Sequence, residues 1–273
     1  MSRPRVPDDV SRYYAGYDER GRLQRSDGRV EFARTCEIAR RVLPPPPAVV
    51  ADVGGGPGAY AVWLAGQGYR VVLRDAMPHH VEQAREDTAG LDVDAGVADA
   101  RALDLPDASV DAVLLLGPLY HLPARDDRVR ALREAVRVVR PGGPVVAAAI
   151  SRWAPFLDGA VVQRLHERLP GFPALLDRLV DDGEAPPQFE GDFTGYFHRP
   201  DDLRREVLDA GLELEDLCGV EGIAFALGDL DARWADERMR HTLLDVARRV
   251  EHVPELMGLS PHMLALARRP AAD

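Results

Sequence analysis

Lysine and asparagine are both absent from this 273-residue sequence, and all 34 of its cations are arginine. A GC-rich genome imposes that bias through codon usage, so it points to a bacterial source rather than to a chemistry. Cysteine is nearly absent as well. Cys36 and Cys218 stand far apart, without the paired spacing of a zinc site or a redox dithiol. The eight histidines are scattered, and the adjacent pair His79-His80 opens what reads as a solvated helix, so no metal is expected. No run approaches the roughly 18 apolar residues of a membrane helix. The opening residues, MSRPRVPDDVSRYY, lack the apolar stretch of a secretory signal, and the chain reads as cytoplasmic. Excess positive charge is missing too: the formal net charge is −11. Phosphate backbones are held by clustered cations, so neither nucleic acid nor a membrane is an expected partner. Oligomeric state is not legible. What remains is ordinary globular composition, 46% hydrophobic and 29% charged, in a chain long enough for one α/β sheet plus an added cap.

The order of segments supports an α/β reading. Residues 8–35 carry Tyr13, Tyr14, Tyr17 and many charges, residues 32–43 have helical spacing, and Pro44 to Pro47 end that helix. Strand and helix patterns then alternate: strand 49–53, helix 60–67, strand 70–73, helix 78–89, strand 93–97, strand 110–116, helix 126–139 and strand 145–150. Apolar runs this dense fit parallel strands covered on both faces. From 151 to 200 the alternation lapses into helical segments rich in aromatics, among them Trp153, Phe156, Phe172, Phe189, Phe193, Tyr196 and Phe197, which reads as an inserted cap. Helix 201–210, strand 212–220, a long helix 231–253 and strand 261–268 follow, the two strands suggesting a hairpin-like edge.

The most informative segment is Val49-Val-Ala-Asp52-Val-Gly54-Gly-Gly56-Pro-Gly58-Ala-Tyr60, a strand running through glycines into a helix. Glycines there permit positive φ and leave no Cβ between a ligand and the helix N-terminus, as nucleotide binding requires. Gly54, Gly56 and Ala59 also satisfy the dinucleotide fingerprint, so spacing alone leaves two cofactors open. The next strand ends in Asp75, followed by Ala76. A carboxylate there can accept both ribose hydroxyls of either cofactor, or merely cap the helix that follows.

Further segments separate the two. Over residues 48–150 the sequence resembles the class I S-adenosylmethionine-dependent methyltransferases. Asp52-x-Gly54-x-Gly56-x-Gly58 resembles that family's first motif, Asp75 its ribose acid, and Asp99-Ala100 the acid and backbone amide that meet the adenine. Leu103-x-Leu-Pro106-Asp-x-Ser109-Val-Asp111, Leu114-Leu-Leu-Gly117-Pro-Leu-Tyr120-His121-Leu and Arg140-Pro-Gly-Gly143 complete the likeness. The Gly117-to-Leu122 variant is similar to bacterial small-molecule and natural-product tailoring enzymes. The resemblance implies a Rossmann-like seven-stranded sheet of order 3-2-1-4-5-7-6, strand 7 antiparallel, with helices on both faces and a helical cap. It implies S-adenosylmethionine as cofactor, S-adenosylhomocysteine as product, and Asp52, Gly54, Gly56, Gly58, Asp75, Ala76, Asp99, Ala100 and Gly117 as the residues that hold them. The expected organisation is an N-terminal helical lid segment over 1–47, a cofactor-binding core over 48–150, a helical cap over 151–200 and the rest of the core sheet over 201–273.

Methyl transfer from a sulfonium is an in-line displacement, needing alignment, exclusion of water and sometimes removal of a proton. His121, just past the fourth strand, is the expected general base, and Tyr14 is a second catalytic candidate. Tyr14, Tyr17 and Tyr120 can present aromatic faces to the cationic sulfur, an attraction of about 0.5–2 kcal/mol. Tyr17, Tyr120, Arg152 and Tyr196 are the expected acceptor-binding residues, Arg152 as a partner for a carboxylate. Each could equally pack or pair structurally. The expected acceptor is a small molecule, an aromatic indole-type or phenolic secondary metabolite methylated at C, N or O. A nicotinamide-dependent oxidoreductase and a non-catalytic cofactor-binding module are the alternatives.

Overall fold

A computed structural model of the chain describes residues 8–25, 27–187, 192 and 194–271. The strands are β1 Val49–Val53, β2 Arg70–Asp75, β3 Val93–Val97, β4 Ala112–Leu115, β5 Pro144–Ile150, β6 Glu184–Ala185, β7 Gly195–Tyr196, β8 Glu213–Gly219 and β9 His262–Arg268. Seven of them form one sheet in the order β3-β2-β1-β4-β5-β9-β8, and β6 and β7 pair separately. The pairings from β3 through β5 are parallel, whereas β9 runs antiparallel to both β5 and β8. This is the expected seven-stranded order, with an antiparallel strand wedged next to the edge.

The α-helices are α1 Asp8–Gly16, α2 Gly28–Arg40, α3 Ala59–Gly66, α4 Pro78–Asp87, α5 Arg125–Val138, α6 Phe172–Asp181, α7 Pro200–Asp209, α8 Leu230–Ala235, α9 Glu237–Val250 and α10 Pro254–Met257. Side chains alternate across the pleat, so the apolar strands feed two cores at once. Val113, Leu115, Val145, Ala147, Met263 and Ala265 meet α5 and α7 through Leu132, Leu203 and Val207. Ala112, Leu114, Val146, Leu264 and Leu266 meet α2, α3 and α4 through Ile38, Leu64 and Val81. Both faces are therefore dry, and ligand access is left to the carboxyl edge of the parallel strands, where open α/β sheets bind their ligands.

Two local readings change. The long helix expected over 231–253 is interrupted at Asp236, whose side chain accepts the amide of Met239 at 2.8 Å and so starts α9 afresh. The expected helical cap contains α6 but also the β6–β7 hairpin and a π-helix, Pro155–Val162. Its apolar residues, Phe172, Leu175, Leu179 and Ala185 with Phe156 and Phe197 against them, form a small core of their own. Phe189 and Phe193 lie outside the described residues. Among the described residues no helix is long and apolar enough to cross a membrane.

Candidate active site

The glycine turn after β1 is shaped by backbone conformation. Gly54, Gly56 and Gly58 have φ of +74°, +54° and +94°, which a residue with a Cβ adopts only at a cost. A Cβ on Gly54 would lie 2.5 Å from Pro118 Cδ, and one on Gly117 would lie 3.1 Å from the Gly54 carbonyl oxygen, so this turn and the one after β4 are in contact. The α3 N-terminus follows directly at Ala59. Asp75 ends β2 beside the turn: Oδ2 accepts the Gly56 amide at 2.9 Å and Oδ1 the Met77 amide at 2.8 Å. Burial pushes this carboxyl up, but His80 and the two amides hold it net below the usual carboxylate range, so it stays ionised.

Above these groups lies a cavity of about 780 Å³, within the ~300–1,000 Å³ of small-molecule sites. Gly54, Gly56, Gly58, Asp75, Ala76, Asp99, Ala100, Gly117, Tyr14, Tyr120 and His121 all line it. The fit to an adenosyl cofactor is thus a carboxylate fixed by backbone amides where the resemblance places the ribose acid, with glycines that carry no Cβ alongside. Asp99 is already held by Arg101, which donates from its backbone amide at 2.8 Å, from Nε at 2.9 Å and from Nη2 at 2.7 Å.

Tyr14 Oη and His121 Nε2 are 2.7 Å apart. Burial drives the imidazole down to about 4, with Asp75 and Asp9 opposing the shift, and drives the Tyr14 phenol well up. Both groups are therefore neutral around pH 7, the imidazole far less basic than an ordinary histidine. The edge of Tyr14 also packs on His80 with ring centres 4.9 Å apart. His80 is buried, not solvated as the sequence suggested. Its Nδ1 stands 3.4 Å from Asp75 Oδ1, and its Nε2 has no hydrogen-bond partner among the described residues.

Four sequence candidates stand elsewhere. Asp52 is fully buried beneath the turn and does not line the cavity: a Cβ on Gly55 would lie 2.7 Å from its Oδ2. Tyr17 is exposed, stacked on Tyr13 at 5.2 Å between ring centres. Arg152 is buried against the cap, donating to Asp202 Oδ2 at 2.9 Å, the Tyr196 hydroxyl at 3.1 Å and the Phe197 carbonyl at 3.1 Å. Tyr196 lies under Arg128, whose guanidinium carbon is 3.4 Å from the ring centre and whose Nη2 pairs with buried Glu206 at 2.8 Å. Arg152 and Tyr196 thus belong to a buried polar joint between cap and sheet and do not line the cavity, which runs against the expectation that they bind an acceptor there.

The Asp52 carboxyl has no hydrogen-bond partner among the described residues, and burial, reinforced by Asp75, pushes it up to about 7. An acid raised in the folded state binds more protons than in the unfolded chain, where it titrates near ~3.9. Stability from this group is therefore present at low pH and declines as pH rises from about 4 to about 7. Asp52→Asn should flatten the wild-type slope of unfolding free energy over that interval in urea melts. An unchanged slope would remove the assignment.

The sequence did not single out Glu19, Arg22, Phe32, Tyr60 or Arg101 as cavity residues, yet all five line it. Phe32 and Tyr60 pack with ring centres 5.2 Å apart. Behind Arg22 lies a buried ionic group: Glu31 pairs with Arg22, and His262 lies between Glu31, 3.9 Å away, and the close carboxylate of Glu221. Burial would lower His262, but Glu31 and Glu221 raise it to about 9, so it carries charge at neutral pH.

Comparison with known proteins agrees with this arrangement. Residues 51–147 match the family described as methyltransferase domain. The chain is 33% identical over 160 residues to a ubiquinone/menaquinone biosynthesis C-methyltransferase of Acidiphilium cryptum, covering 55% of this chain and 60% of that one. It is 39% identical over 97 residues to the 27-O-demethylrifamycin SV methyltransferase of Amycolatopsis mediterranei, covering 34% of this chain and 35% of that one. The chain thus spans only about a third to three-fifths of the length of these relatives. The crystal structure of an S-adenosylmethionine-dependent methyltransferase from Methanosarcina mazei shares the fold, with a TM-score of 0.60 at 17% identity over 86% of this chain and 98% of that one. The antiparallel β9 beside β5 also differs from the 3-2-1-4-5-6 order of dinucleotide-binding sheets. Residues 51–147 thus match the methyltransferase domain, on a sheet whose order is the one that the resemblance to the class I S-adenosylmethionine-dependent methyltransferases implies.

Proposed function

We propose that this protein transfers a methyl group from S-adenosylmethionine to a small aromatic molecule, of phenolic or indole type, from secondary metabolism. One observation carries the reading: a single cavity joins the glycine turn, Asp75 and Asp99 to the Tyr14–His121 pair. The support for an aromatic acceptor comes from Tyr14, Phe32, Tyr60 and Tyr120 on the cavity wall, rather than from the cap aromatics named in the sequence. The rifamycin methyltransferase among the relatives supports a natural-product acceptor.

The bound cofactor supplies an electrophilic methyl group on a sulfonium. The chain supplies alignment and a dry wall. Tyr14 and His121 act on the acceptor's proton: the phenol oxygen of Tyr14 takes it as the phenol proton moves to His121 Nε2. Because burial pushes His121 down to about 4, its Nε2 is unprotonated at every pH above that, and turnover should fall on acidification through that value. His121→Ala should lower kcat at pH 7 by about 100-fold in a labelled-methyl assay against phenols, indoles and quinols, with cofactor affinity unchanged. Near-full turnover in that variant removes the proton role. Tight cofactor binding with no transfer to any acceptor favours a non-catalytic module.

A further inference from the structure

Away from the cavity, three side chains of different chemistry converge at the edge of the sheet. Asp216 and Cys218 stand two residues apart on β8, the edge strand, so their side chains share a face. His252 reaches them from the turn between α9 and α10, and the Gly219 amide donates to the Glu251 carbonyl at 2.9 Å, which ties that turn to the end of β8. One carboxylate oxygen, the thiol sulfur and one imidazole nitrogen all lie within 4.8 Å of one another. None of these three residues lines the cavity.

The surrounding bonds hold the donor atoms toward one another. Asp216 Oδ1 accepts the Leu217 amide at 2.8 Å, and Oδ2 stands 2.8 Å from His252 Nε2. Behind the imidazole, Glu251 Oε1 is 3.4 Å from Nδ1, and a carboxylate in that place orients a ring whose other nitrogen binds a metal. Arg34 and Arg41 are both paired with Glu251, so their charge is balanced before an ion arrives. A thiolate and a carboxylate together neutralise a divalent ion. The His252 and Asp216 side chains are 50% and 36% exposed while Cys218 is buried, so the group is open to solvent on one side and closed behind. Sulfur, nitrogen and oxygen in one three-donor set suit a zinc-class ion with a water as fourth ligand; magnesium and calcium take oxygen donors. Zinc holds its donors at about 2.0–2.3 Å, a geometry the half-exposed imidazole can reach by rotating. The comparable group of Glu31, Glu221 and His262 is already paired with Arg22.

We propose that Asp216, Cys218 and His252 form a binding site for a single zinc-class divalent ion that fastens the edge strand of the sheet to the α9–α10 turn. On binding, the Cys218 S–H proton leaves to solvent and a sulfur–metal bond replaces it, with the Asp216 carboxylate and His252 Nε2 completing the protein's share of the ligands. The test is titration of the untagged full chain with Co2+ alone, followed by absorption. Wild-type protein should take up one ion per chain with a thiolate-to-cobalt charge-transfer band in the near ultraviolet, which Zn2+ abolishes by displacement and excess Mg2+ leaves in place. Cys218→Ser should lose the band and Cys36→Ser should keep it. His252→Ala, on the half-exposed turn where the fold is least at risk, should weaken Co2+ by at least about tenfold. No thiolate band in the wild-type protein overturns the proposal. So does a band lost in Cys36→Ser but kept in Cys218→Ser, or a Co2+ affinity that His252→Ala leaves unchanged.

Discussion

Gly54→Ala is expected to abolish measurable cofactor binding and to lower the melting temperature. Two costs combine. The residue has φ of +74°, and the left-handed region costs a side chain of this kind about 1–2 kcal/mol. The new methyl would also lie 2.5 Å from Pro118 Cδ, an overpacking worth roughly 1–3 kcal/mol. Their sum corresponds to a fall of roughly 4–10 °C in a chain of this size. Relief can come only if the turn after β4 moves away, and that turn carries Gly117, Tyr120 and His121 on the cavity wall. Gly66→Ala is the matched control: a Cβ at Gly66 has nothing within 4 Å, so binding and stability should be kept. Equal behaviour of the two variants in thermal melts and titrations would contradict the close-approach argument.

Asp75→Ala is expected to give the largest loss of affinity that leaves the fold in place. The carboxylate is ionised, fixed by the amides of Gly56 and Met77, and set on the cavity wall. Two ribose hydroxyls donating to it would contribute about 1.5–3 kcal/mol each, as hydrogen bonds to a charged group do. Loss of both should weaken S-adenosylhomocysteine by at least about 100-fold. Asp75→Asn keeps an acceptor oxygen but not the charge, and should fall between wild type and the alanine variant. Affinity unchanged in Asp75→Ala would place the ribose elsewhere.

Much of this fold was legible, and the reasons are local. The apolar runs within β1, β2, β4 and β5, interrupted in β1 by Asp52, have glycine or proline close by, so period and punctuation agree. Their order in the sheet was not in the periodicity; it came from the family likeness. The β6–β7 hairpin was not legible because two-residue strands leave no pattern. The break at Asp236 was missed because the apolar spacing of α8 runs on into α9, and only a side-chain cap marks the new start. His80 was misread from its neighbours, although its four-residue spacing from buried Ala84 puts it on the inner face of α4.

The glycines, Asp75, Asp99 and the Tyr120-His121 turn were readable as cavity lining because they sit at or just past strand ends, where open α/β sheets leave access. Arg152 and Tyr196 were misplaced because sequence cannot tell an arginine awaiting a substrate from one already bonded to Asp202, Tyr196 and Phe197. Glu19 and Arg22 were passed over in a segment dense with charge, where no spacing separates a cavity-lining pair from a solvated one.

The most direct test of the central claim is calorimetric titration of the full chain with S-adenosylhomocysteine and, separately, with NADH. The account predicts one site per chain for S-adenosylhomocysteine, with Kd well below ~1 mM, removed by Asp75→Ala, and no heat from NADH. Absence of S-adenosylhomocysteine binding at millimolar concentration, or NADH binding that Asp75→Ala removes, would contradict it.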